Sequence, residues 1–314
     1  MKLIKNLVYS LSKNESLNKL SKKLGPKLGI NSMIEGTNAN ELIESVKILN
    51  NKNVSTTIDN LGEYVTSQKE VYLAKKNILE VLEIIHNQKL NAHLSIKLTQ
   101  LGLDINYDLC KNCTTEIIEK AEAYDIFVNF DMEDFNHLEP TWDIIKELKK
   151  SYSNIGTVIQ SCLYRAENDI LNNFDMRLRI VKGAYKEGEQ VSFQNQKNID
   201  ENFINIAKQH LLHGRFTSIA THDHNIIEEL KNFILTNKIS NTNFEFQMLY
   251  GFRKDLQNEL INEGFNLCIY MPYGIEWYGY FMRRLAERPK NINLLLKQVI
   301  SRFNNKKVSK NHSI

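Results

Sequence analysis

Breakers of regular structure are scarce: four prolines and thirteen glycines in 314 residues. That excludes a collagen-like, linker-rich or low-complexity chain and favours long regular elements. Cysteine is scarcer still for this length, with residues only at 110, 113, 162 and 268, so a disulfide scaffold is excluded. Cys110 and Cys113 form an isolated CxxC. A zinc site would need a second pair, and a redox pair would open a helix after a strand, so both are read as reduced thiols on a helix. No metal is expected. No uninterrupted apolar run of 18 residues occurs, which excludes a spanning helix. The opening MKLIKNLVYSLSKN lacks the apolar core and cleavage site of a signal peptide, and a reducing cytoplasm is the expected compartment. A large charge excess is missing too: 40 basic against 37 acidic residues leaves +3, which does not suggest a protein that coats nucleic acid. Neither GxGxxG after a strand nor GxxxxGK[ST] is present, which disfavours a nicotinamide enzyme.

What is present is an ordinary globular balance, 42% hydrophobic and 25% charged. The length alone suggests roughly two domains, although α/β barrels of about 250 residues fold as one. Residues 1–50 read as a helical extension. Leu3, Ile4, Leu7, Val8 and Leu11 line one helical face, and a second helix runs from Asn40, as N-cap, towards Leu49. Short β-rich runs then recur at 54–59, 93–98, 125–131, 155–160, 177–182, 215–221, 243–248 and 265–271. Helical periodicity fills the intervals, as at 68–86 and 197–212. Eight strand–helix units predict a closed parallel (β/α)8 barrel over 51–303, in preference to an open doubly wound sheet. The polar tail 304–314 is expected to be disordered.

The strands carry unusual charges. Leu94, Ile96 and Leu98 share one face, so Ser95, Lys97 and Thr99 share the other; likewise Ile126, Val128 and Phe130 oppose Phe127, Asn129 and Asp131. The apolar face belongs against the helices, which turns Lys97 and Asp131 into the barrel at its catalytic rim. Arg177, Arg179 and Lys182 come from the fifth run, and Gln160 ends the fourth. The alternative is a buried ion-pair network without chemistry, but several costly buried charges at strand C-termini favour a site.

Several strings carry a resemblance. MRLRIVKGAY (176–185), SIKLTQLG (95–102), DMED (131–134), ATHD (220–223), FEFQMLYG (244–251) and YMPYG (270–274) with WYGYFMRRLAER (277–288) occur in the order found in proline dehydrogenases. The chain resembles the monofunctional bacterial members, since no aldehyde dehydrogenase domain follows. The resemblance spans about residues 30–290. It implies a distorted (β/α)8 barrel with FAD as cofactor. The implied reaction oxidises L-proline to Δ1-pyrroline-5-carboxylate, with hydride passing from C5 to the flavin and electrons going on to a membrane quinone. It assigns Asp131 and Arg179 to catalysis, and Lys97, Arg283 and Arg284 to the substrate carboxylate. Tyr270 and Tyr280 fall beside the substrate; Met132, Gln160, Lys182, Gly183, Ala184, Thr221 and His222 fall at the flavin. A barrel flavoenzyme acting on hydroxyproline or another cyclic amine, and a catalytically silent relative, are the alternatives.

Physical chemistry adds to these roles. Adjacent Arg283 and Arg284 lie about 100° apart on a helix and can flank one carboxylate. Tyr280, three and four positions earlier, shares their face, so the last helix is expected over the barrel mouth. A cation at Arg179 favours a reduced flavin. His222 is read as a flavin-contacting wall in preference to a general base. A quinone acceptor calls for peripheral membrane contact, for which the N-terminal stripe with Lys2, Lys5 and Lys13 is one candidate and Lys306, Lys307 and Lys310 another.

Overall fold

Asn38, not Asn40, caps the helix expected towards Leu49: its side chain accepts the Asn40 N–H at 2.9 Å, and α1, the first helix of the described residues, runs Ala39–Asn50. An acceptor placed just before the helix satisfies an otherwise orphaned amide. The computed structural model describes residues 38–62 and 65–274. Within them follow β1 (Ser55–Asn60), α2 (Gln68–Asn87), β2 (Ala92–Ile96), α3 (Tyr107–Ala123), β3 (Val128–Phe130) and α4 (Phe135–Leu148). Then come β4 (Ile155–Gln160), α5 (Ala166–Leu171), β5 (Arg177–Val181), α6 (Gln196–His213) and β6 (Phe216–Ala220). The chain continues through α7 (His224–Thr236), β7 (Phe244–Leu249), α8 (Lys254–Asn262) and β8 (Leu267–Tyr273). Every strand pairs in parallel with the next, and β8 pairs back onto β1, closing a (β/α)8 barrel. The N-terminal helical face, the helix carrying Tyr280, Arg283 and Arg284, and the polar tail lie outside the described residues.

The scarcity of glycine has a structural counterpart. Asn53, Lys89, Asp125 and Lys238 all have φ between 50° and 59°. Each follows a helix, and the next amide reaches back to a carbonyl in that helix's last turn, as Ile126 N–H does to Ala121 at 2.8 Å. This is the Schellman closure, which glycine usually serves. Here side chains accept the left-handed conformation at roughly 1 kcal/mol each. The same closure shortens the third strand. Asp125 and Ile126 close the turn after α3, so the apolar run at 125–131 yields a strand only at Val128–Phe130.

Alternation sets the barrel's two faces. Leu94, Ile96, Val128, Phe130, Leu178, Ile180, Phe244 and Phe246 are buried beneath the helices, each contributing about 1.5–3 kcal/mol. The opposite positions fill the interior with polar groups. Low in the barrel, Glu245 accepts from Arg177 at 2.7 Å, Ser218 at 2.9 Å and Gln247 at 2.5 Å. Arg177 thus serves this floor and not the rim. Cys110 and Cys113 sit on α3, both buried, and burial pushes the Cys110 thiol up to about 12.

One buried group predicts acid sensitivity. His210 on α6 pairs its Nδ1 with Thr217 Oγ1 at 2.8 Å, and burial lowers its pKa from 6.5 to about 4. Between those values the unfolded chain takes up a proton that the folded chain refuses, so stability falls as pH drops. The expected loss is on the order of 3 kcal/mol by pH 4. Urea unfolding at pH 7 and pH 4.5 measures it, and His210→Asn should shrink the difference between the two.

Candidate active site

The C-terminal ends of the strands surround a cavity of about 550 Å³. Its floor is an ion-pair cluster drawn from five strands. Lys97 follows β2 directly, and Asp131 follows β3, whose amide still reaches Ile96 O at 2.8 Å. Lys97 Nζ lies 2.7 Å from Asp59 Oδ2 of β1 and 3.2 Å from Asp131 Oδ2. Arg179 of β5 reaches Asp131 Oδ1 at 2.5 Å, Ser95 Oγ at 2.9 Å and Thr57 Oγ1 at 3.3 Å. The Tyr270 hydroxyl on β8 donates to Asp59 Oδ2 at 2.6 Å and Asp131 Oδ2 at 2.7 Å. Its ring lies 5.3 Å beneath the Arg179 guanidinium. The parallel registers bring Thr57, Ser95, Asn129 and Arg179 inward together, so one polar stratum holds the next.

Electrostatics follow from that packing. Burial works to raise the Asp131 pKa, but Lys97, Arg179 and the Tyr270 hydroxyl together hold it below the usual carboxylate value. Asp131 is therefore a fixed negative charge. Burial, then the Asp131 and Asp59 carboxylates, push the Tyr270 phenol well above 10, so it remains a hydrogen-bond donor.

The walls come from the loops after β3, β5, β6 and β7. Met132, Lys182, Gly183, Ala184, Thr221 and His222 all line the cavity, with Val158 and Leu249 adding apolar surface. Gly183 has φ +107°, and a Cβ there would sit 2.4 Å from Cys162 Sγ; a side chain would strain the turn and collide. Lys182 is held on the rim by Asp200 at 2.6 Å and Asp223 at 2.8 Å. His222 Nε2 accepts the Leu249 N–H at 3.1 Å, which occupies the lone pair a general base would use. Gln160 stands behind the wall: its Nε2 donates to Glu133 O at 2.9 Å and Met132 O at 3.3 Å. It braces the loop that presents Asp131 and Met132.

Of the residues singled out in the sequence, the structure therefore gathers Lys97, Asp131, Arg179 and Tyr270 at the floor and Met132, Lys182, Gly183, Ala184, Thr221 and His222 at the walls. Gln160 touches the cavity's backing, and Tyr280, Arg283 and Arg284 are outside the described residues. Other participants carry no role in the sequence reading, Asp59, Tyr185 and Arg253 among them. Asp59 ends the inward series Ser55, Thr57, Asp59, a signal of the same kind that exposed Lys97. Asp59 lies beneath the cavity, whereas Tyr185 and Arg253 line it but carry no comparable pattern. Among the described residues, His93, Glu245 and Cys268 gather ligand atoms within 4.8 Å, but Glu245 there already neutralises Arg177.

A family model described as proline dehydrogenase matches residues 42–295. Proline dehydrogenase 2 of Bacillus subtilis is 43% identical over 289 residues, 91% of this chain and 95% of that one. Proline dehydrogenase 1 of the same organism is 39% identical over 302 residues, 96% of this chain and all of the relative. The proline dehydrogenase of Deinococcus radiodurans is 36% identical over 265 residues, 82% and 86% of the two chains. Among solved structures, proline utilization A from Bdellovibrio bacteriovorus inactivated by N-propargylglycine superposes with a TM-score of 0.77 over 90% of this chain at 22% identity. This chain spans 36% of that protein, and the likeness speaks for the barrel. Given a family match that covers most of the sequence and relatives alike along nearly their full length, the chain belongs to the proline dehydrogenase family and is an oxidoreductase.

Proposed function

We propose that this protein oxidises L-proline to Δ1-pyrroline-5-carboxylate, with FAD as resident cofactor and a membrane quinone as final acceptor. The observation that carries this reading is the meeting of Lys97, Asp131, Arg179 and Tyr270 at the floor of one cavity at the strand C-termini. That is where barrel enzymes place their chemistry.

The residues present fit a flavin. The cavity volume lies within the roughly 300–1,000 Å³ usual for ligand pockets. Met132, Val158, Val181, Ala184 and Leu249 offer a flat ring an apolar wall. Arg179 Nε is buried without a hydrogen-bond partner among the described residues, and a buried donor of that kind calls for an acceptor. Met132, Lys182, Gly183, Ala184, Thr221 and His222, with Gln160 behind them, would hold the cofactor. When bound, FAD supplies the two-electron oxidising capacity. Arg179 contributes a fixed positive charge that favours the electron-rich reduced form.

Substrate binding follows from counting charges. Lys97 and Arg179 face Asp59 and Asp131, two cations against two carboxylates. A proline carboxylate gains little net attraction from such a balanced floor. Arg283 and Arg284 are the proposed additional cations, with Tyr280 beside them. Tyr270 and Lys97 keep the ring and carboxylate in line, and enclosure by the walls excludes water.

Anaerobic addition of L-proline to the purified, flavin-loaded protein tests the reading: the yellow colour should bleach, and quinone-containing vesicles should restore it. Persistent colour would sink the assignment. Faster bleaching by hydroxyproline would favour the alternative substrate. Among the described residues no helix is long and apolar enough to cross a membrane. Contact with the quinone's bilayer is accordingly proposed to be peripheral, through the N-terminal stripe or the C-terminal lysines.

A further inference from the structure

Asp59, next to last in β1, is fully buried. A barrel built for stability alone would place Val or Ile there, because an interior carboxylate is costly. Its Oδ1 has no hydrogen-bond partner among the described residues, and an oxygen left so costs about 1–3 kcal/mol. Among the described residues its hydrogen bonds pass through Oδ2, to Lys97 Nζ at 2.7 Å and to the Tyr270 hydroxyl at 2.6 Å.

Asp131 Oδ2 competes for the same two donors, at 3.2 Å and 2.7 Å. A phenol has one hydrogen, so Tyr270 cannot serve both carboxylates fully. β1 lies between β2 and β8 in the closed sheet, with Asp59 level with Ser95 on one side and Pro272 on the other. Its carboxylate therefore spans from the lysine after β2 to the tyrosine on β8. Without it, both donors would lose their nearer carboxylate and be drawn towards Asp131 after β3. Asp59 itself is not among the residues lining the cavity.

We infer that Asp59 is a positioning residue for proline oxidation, fixing the Lys97 ammonium and the Tyr270 hydroxyl at the cavity floor and sharing both with Asp131. The inference rests on the reading of the cavity as the proline site. It separates two effects. Removing the Asp59 charge makes the floor more positive, which cannot weaken binding of an anionic carboxylate. Loss of position, by contrast, slows the chemical step.

The test compares flavin-loaded wild type, Asp59→Asn, Tyr270→Phe and the double variant in steady-state proline oxidation. Asp59→Asn preserves the side chain's shape. Its kcat should fall about tenfold or more, with KM for proline unchanged or lower. The double variant should lose little beyond Tyr270→Phe alone, because Asp59 acts partly through that hydroxyl; a merely structural role would give additive losses. If Asp59→Asn does not fold, Asp59→Ser replaces it in the same comparison. Wild-type kcat in the folded variant, a raised KM at unchanged kcat, or fully additive losses would each overturn the inference while leaving the cavity's assignment standing. A wild-type protein that fails to oxidise proline would instead overturn the assignment itself.

Discussion

Asp131→Asn should lose proline oxidation by about two orders of magnitude or more and fold less stably by roughly 3–5 kcal/mol. Among the described residues the carboxylate is the one acid that Arg179 pairs with, and it also receives Lys97 and Tyr270. An amide leaves the buried guanidinium beside Ser95 and Thr57 without an opposing charge. The pH dependence gives an independent check. Because Asp131 is held below the ordinary carboxylate pKa, the folded chain releases its proton more readily than the unfolded chain does. Its contribution is therefore complete above the unfolded value near 3.9 and is lost as pH falls through the lower folded value. Denaturant unfolding of both proteins should show a wide stability gap at neutral pH that closes in strong acid. A constant gap would mean that the loss comes from packing and not from charge. Wild-type turnover in the folded variant would remove Asp131 from the machinery.

Arg179→Met should slow reduction of the bound flavin on the order of a hundredfold and lower its midpoint potential. Methionine keeps the length and apolar stem but removes the cation and its contacts to Asp131, Ser95 and Thr57. Proline affinity should suffer less, because Lys97 remains in place. The variant should also push the Tyr270 phenol still higher, since Arg179 is the neighbour that draws its pKa down. Redox titration of the flavin-loaded protein reads the first effect. An unchanged potential would place Arg179 away from the cofactor.

The two variants divide the cluster by function, and the residues behind that division were unequally visible in the sequence. Lys97 and Asp131 were visible because a strand's two-residue period leaves a charged residue on the face opposite Leu94, Ile96, Val128 and Phe130. Asp59 obeys the same rule but follows Thr56 and Thr57, whose intermediate polarity blurs the contrast between faces. The strand is shorter than the run at 125–131 because its apolar residues serve two purposes: Ile126 closes the turn after α3, and the strand proper is Val128–Phe130, with Phe127 O and the Asp131 N–H still bonded to β2. Asn40 was a reasonable cap by residue type, but Asn38 precedes the first helical turn, and position decides which asparagine can reach a free amide.

Composition and periodicity by themselves determined the class of the fold. Eight β-rich runs separated by amphipathic helices leave few ways to bury one face of each element, and the closed parallel barrel is the solution the chain adopts. The ordered motifs likewise determined the family, since several short strings in sequence are far more specific than any one. Only the tertiary structure decided which charges neutralise which. Arg177 and Arg179 are two residues apart on one strand and look equivalent in sequence; the barrel sends the first down to Glu245 and the second up to Asp131. Only closure of β8 onto β1 brings Tyr270 to Asp59, 211 positions away in the chain. Pairing of that kind depends on strand register around a ring, and register is set by the sum of all the side chains packed on both faces of the barrel.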